Sequence, residues 1–94
     1  MSEYESLARN VIRKSLQIKP KESVIVECWN HGFDAAMEVL YQLRALGAKP
    51  MFLFEDEATY WRSVETLQVS KLGQVSNSEW SALKDADAYI FFPG

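Results

Sequence analysis

Apolar positions along this chain follow two rhythms: the three-to-four-residue period of an amphipathic helix, and short unbroken runs of β-branched or aromatic residues. Tyr4, Leu7, Ala8, Val11, Ile12 and Leu16 share one helical face, and Ser2 with Glu5 makes a capping-box pair at its start. Arg13 and Lys14 suit the negative end of that helix, and Pro20 forbids its continuation, so a turn is expected at Lys19-Pro20-Lys21. Ser23-Val24-Ile25-Val26-Glu27-Cys28 then reads as a strand covered on both faces. After the polar break Asn30-His31-Gly32, the spacing of Phe33, Ala36, Met37, Leu40, Leu43 and Leu46 predicts a second helix, stopped by Gly47. Met51-Phe52-Leu53-Phe54 predicts a second strand.

Strand, helix and strand joined by short turns make a βαβ unit, with a parallel sheet and a right-handed crossover. Glu55, Asp56 and Glu57 place acidic charge at the positive end of a third helix, expected to bury Ala58, Trp61, Val64 and Leu67. From Gln68 to Val75 the signals conflict, because Val69, Leu72 and Val75 keep helical spacing while Gly73 weakens it. Ser76 and Glu79 offer another capping box ahead of Trp80 and Leu83, and Asp85 to Asp87 turns the chain into a third strand, Ala88 to Phe92. So apolar a strand is expected to be interior, with neighbours on both sides and cover on both faces. The expected fold is one α/β domain over residues 1–94, a three-layer parallel sheet of βαβ units forming an incomplete doubly wound domain. A missing helix and further strands, or a second chain, would complete it, so self-association or a large exposed apolar patch is also expected.

Composition narrows the partners. Hydrophobic residues make up 48% of the chain, enough for a core, and a net charge of -3 leaves no excess of cations for nucleic acid or an anionic membrane. No apolar run approaches the roughly 20 residues a membrane-spanning helix needs. One cysteine, Cys28, and an acidic start point to a cytoplasmic protein.

In open parallel sheets, ligands gather at the carboxyl ends of the strands. That edge carries Trp29, Asn30, His31 and Glu55, the candidate ligand- or partner-facing loop, together with Asp56, Glu57, Pro93 and Gly94. His31 is the only histidine; with Cys28, Asp34 or Glu55 it would make a meagre metal site, and a capping or loop histidine is the simpler reading. Glu55 sits where dinucleotide domains keep a ribose-binding acid, but the turn after the first strand has one glycine instead of three, which disfavours a dinucleotide. Cys28 beside His31 invites a nucleophile reading, against which the end of an apolar strand favours a buried, inert thiol. Trp61 and Trp80 read as core anchors, and Phe33 and Met37 as side chains that hold the loop against the sheet. No catalytic residue and no metal ligand is assigned within the chain.

The segments Leu7-Ala8-Arg9-Asn10-Val11-Ile12, Leu16 to Val26 with its Lys19-Pro20-Lys21-Glu22, Ala35 to Leu46 with Gly47-Ala48-Lys49-Pro50, and Leu83 to Ile90 together resemble the N-terminal domain of the aminopeptidase T family of metal-dependent aminopeptidases. That resemblance implies a two-domain exopeptidase that removes N-terminal residues from peptides, with a divalent metal pair held by Glu, His and Asp of a C-terminal catalytic domain. None of those ligands carries over to this chain. The resemblance implies a non-catalytic N-terminal part that helps shape the active-site enclosure and the dimer. Its partners would be the C-terminal catalytic domain or a second subunit, in a homo-oligomer. The alternatives are a small-molecule or nucleotide-binding α/β module at Asn30, His31 and Glu55, or a protein-interaction domain docking through the third strand.

Overall fold

The computed structural model describes residues 3–73 and 76–93, and in it helices alternate with parallel strands. Strand β1 (Ser23–Trp29) lies at the centre of a three-stranded sheet, between β2 (Lys49–Glu55) and β3 (Ala88–Phe92), and both pairings are parallel. Val26 sits level with Phe52 on one side and Ile90 on the other. The most deeply buried strand thus takes the position with two neighbours.

Side chains alternate between the two faces of a strand. Val24, Val26 and Cys28 point to one face, where they are buried against Ala36, Val39, Leu40 and Leu43 of helix α2 (Phe33–Leu46). Helix α1 (Glu5–Asn10), extended by a wider π-helical turn over Val11–Ser15, adds Ala8 and Ile12 to the same core. Gly47 ends α2 at φ 92°, in the left-handed region that favours glycine, as the sequence predicts. The turn around Pro20 also forms, fastened where the Lys21 N–H donates to the Gly47 carbonyl at 2.8 Å. The first helix nevertheless ends well before the proline. The Ile18 N–H donates to the Ile12 carbonyl at 2.8 Å, which folds Ile18 into the core.

The opposite face of the sheet carries Ile25, Glu27 and Trp29 from β1, flanked by Met51, Tyr89 and Phe91. Helix α3 (Glu57–Thr66) reaches this side at Trp29, whose ring lies 5.0 Å from that of Tyr60. Helix α5 (Asn77–Asp85) lies near the start of β1 and shares a groove with Ile25 and Met51. Between them, α4 (Val69–Leu72) is a single turn, so the undecided stretch is helical over those four residues, with Gln68 extended before it and Gly73 in a turn after it. The predicted cap at Ser76 forms, its side chain accepting from the Glu79 N–H, and at the expected acidic start of α3 Asp56 accepts from the Thr59 N–H. Ser2 of the first capping pair, Val75 and Gly94 lie outside the described residues. No helix among those residues is long and apolar enough to cross a membrane.

Several expectations about burial are corrected. Ala58, Trp61, Val64 and Leu67 are all exposed on α3, and Trp61 and Trp80, at 50% and 65% exposure, anchor no core. β3 is an edge strand: Ile90 is buried, while Tyr89 and Phe91 remain 45% and 43% exposed. The face of β3 against the first two helices is covered, while on the other face cover reaches Ile25 of the central strand and leaves Tyr89 and Phe91 open. Leu7 and Leu16 are likewise exposed, since α2 meets only the Ala8 and Ile12 side of α1. Phe33 stays out of the core and instead packs edge-on against Phe52 and Phe54 at 6.2 and 5.9 Å.

Candidate ligand- and partner-facing loop

β1 delivers the loop. Its last residue, Trp29, lies level with Glu55 at the end of β2, and the next residues, Asn30–Gly32, form one 3-10 turn before α2. Gly32 makes this sharp return possible. A Cβ there would stand 2.6 Å from Phe92 Cβ and 3.0 Å from the Phe92 carbonyl oxygen, so the turn is pressed directly onto the end of β3.

Asn30 ties the loop to α3. Its side-chain oxygen accepts from the Glu57 N–H at 2.6 Å, and its amide donates to Asp56 Oδ1 at 3.0 Å. The other Asp56 oxygen accepts from the Thr59 N–H at 3.0 Å and the Thr59 hydroxyl at 2.9 Å. Donation from Asn30, followed by the two bonds from Thr59, holds the Asp56 carboxyl below its ordinary range. Two of the three acids serve the helix start, Asp56 capping α3 and Glu57 occupying its first turn, while Glu55 ends β2.

His31 points outward, its side chain 78% exposed, with Nε2 3.8 Å from Glu57 Oε2. That separation permits a weak, screened attraction and no hydrogen bond. Asn30, His31, Asp56, Glu57, Ala58 and Trp61 line a shallow depression of about 410 Å³. Of the four residues singled out from sequence, Trp29, Asn30 and Glu55 meet at the strand ends and His31 stands at the rim. Trp29 is engaged with Tyr60, and the hydrogen bonds made by Asn30 go to the chain itself. Sequence reasoning missed Tyr60, Gly32 and the role of Asn30, a bond across 26 residues for which no local spacing gives a signal.

Cys28 is fully buried on the α2 side of β1, and burial pushes its thiol up, with Glu27 adding to the effect. A thiol held protonated in a core is a poor nucleophile. Among the described residues, no group of three or more His, Cys, Asp and Glu side chains is arranged to hold a metal ion. On the opposite sheet face, the Tyr89 hydroxyl donates to Glu27 Oε1, and desolvation first, then that carboxylate, pushes the phenol up to about 12. On the same sheet face Met51 and Phe91 are exposed, and so are Trp61 on α3 and Trp80 and Leu83 on α5. No protein-family model matches the chain, and no curated protein matches it.

Proposed function

We propose that this chain serves as a non-catalytic N-terminal domain of a cytoplasmic, metal-dependent aminopeptidase, seated on the catalytic body through the second face of its sheet. The observation that carries this reading is that face. Met51, Tyr89 and Phe91 lie open on the two outer strands of that face, on either side of the buried Ile25, in a parallel sheet of a kind that ordinarily has both faces covered. Exposed aromatic and aliphatic side chains at such density mark a surface built to be covered. The resemblance to the aminopeptidase T family supplies the identity of the cover, a domain carrying the divalent metal pair and the peptide-binding site. The loop at Trp29, Asn30, His31 and Glu55 would then border the enclosure through which peptide enters.

A small-molecule or nucleotide module is less well supported, because Asn30 and Asp56, the polar groups nearest the depression, already bond to each other and to α3. The test is complementation. The metal-binding half of an aminopeptidase T family enzyme, produced without its own N-terminal domain, is assayed on aminoacyl chromogenic substrates with zinc, cobalt or manganese. Added chain should raise turnover saturably, while the chain alone should give none. Metal-dependent turnover by the chain alone that His31→Ala abolishes would overturn the proposal, as would a catalytic half indifferent to the chain.

A further inference from the structure

The two edges of this sheet are built differently. β2 opens with Lys49 and Pro50 and closes with Glu55, the charge and proline by which edge strands commonly discourage further pairing. β3 reads Ala88-Tyr89-Ile90-Phe91-Phe92, with no charge and no proline, and among the described residues its only strand neighbour is β1. Its outer row of backbone N–H and C=O groups is a template for another strand.

We infer that this edge pairs antiparallel with the same edge of a second copy of the chain, about a twofold axis at Ile90, joining the two sheets into one. The sequence of β3 is self-complementary in that register. Tyr89 falls opposite the partner's Phe91, an aromatic pair on the open face. Ala88 falls opposite the partner's Phe92, setting the smallest side chain of the strand against a large one on the helix-covered face. Ile90 meets its own copy. Charge selects the direction: a parallel, in-register pair would set Asp87, directly before the strand, beside its own copy, whereas the antiparallel pair sends the two copies of this acid to opposite ends. A twofold axis also closes the assembly, so pairing stops at two copies. The inference uses the edge of the sheet and holds whatever covers its face.

Cross-linking reads the register. Tyr89→Cys and Phe91→Cys variants are prepared separately, with Cys28 buried and out of reach. In the antiparallel register residue 89 lies opposite residue 91 of the other copy, so a mixture of the two should form a disulfide. Neither variant alone should do so, because like positions are offset by two residues, about 8 Å between Cα atoms, beyond disulfide reach. Sedimentation of the unmodified chain should show a dimer, and Phe91→Lys should weaken it about tenfold or more by removing both symmetry-related aromatic pairs. Circular dichroism confirms that each variant is folded. Strong self-linking of either variant would overturn the antiparallel register. A chain that sediments as a monomer at all concentrations, or a dimer indifferent to Phe91→Lys with no cross-link in the mixture, would overturn the edge pairing.

Discussion

Replacing Gly32 by alanine probes the closest approach in the loop. Gly32 has φ -90° and ψ 2°, a backbone conformation open to alanine, so the cost of the added methyl is steric. It would meet Phe92 Cβ at 2.6 Å, the Phe92 carbonyl oxygen at 3.0 Å and Cys28 Cβ at 3.4 Å. None of these is the free end of a flexible side chain, so either the 3-10 turn or the end of β3 must shift. Overpacking of this kind costs about 1–3 kcal/mol, against which the stiffer unfolded chain returns about 0.4–1 kcal/mol. A net loss of about 1–2 kcal/mol should lower the melting temperature by roughly 4–8 °C for each kcal/mol. Gly73→Ala is the control, because nothing lies within 4 Å of the methyl it adds, and it should be neutral or slightly stabilising. Phe92→Ala should give no rescue, since it retains the clashing Cβ. Urea and thermal melts decide the matter: a Gly32→Ala protein as stable as the parent would refute the close approach on which the loop geometry rests.

Leu43→Ala, which empties a fully buried site on α2, should cost about 2–5 kcal/mol in urea melts, while exposed His31→Ala should stay within about 0.5 kcal/mol. Asn30→Ala should cost about 1 kcal/mol by freeing the start of α3, and carboxyl NMR titration should then find Asp56 closer to its ordinary range. Because the Tyr89 phenol is raised in the folded chain, its contribution should be complete below its ordinary value of 10.0 and be lost as pH rises towards about 12; Tyr89→Phe should flatten that alkaline loss in melts recorded across the window.

The order of elements was legible because each leaves a local mark. The β-branched run of β1, the single apolar face of α2 and the glycine at its end depend only on neighbouring residues. What covers an element does not. Helical spacing says that Trp61, Val64 and Leu67 lie towards one side of α3, but it carries no information on whether another layer lies against that side. The apolar run of β3 fits an interior strand and an unprotected edge equally well, and only the sheet order separates them. At the loop, the grouping of Trp29, Asn30 and Glu55 follows from parallel strand topology alone. The capture of α3 by Asn30 depends on a long-range contact, and the place of Phe33 beside Phe52 and Phe54 depends on the width of the sheet.

The central claim is that the open face of the sheet is a docking surface for a catalytic domain. Trp61, which lines the depression at the strand ends, and Trp80, on α5, are both exposed and would report on a domain covering that side. The direct measurement is acrylamide quenching of the chain's tryptophan fluorescence during titration with a metal-binding half lacking tryptophan. Quenching should be free in the chain alone and fall saturably as the catalytic half is added, and Phe91→Lys should abolish that protection while leaving the free quenching unchanged. Tryptophans that stay equally accessible throughout the titration would contradict it.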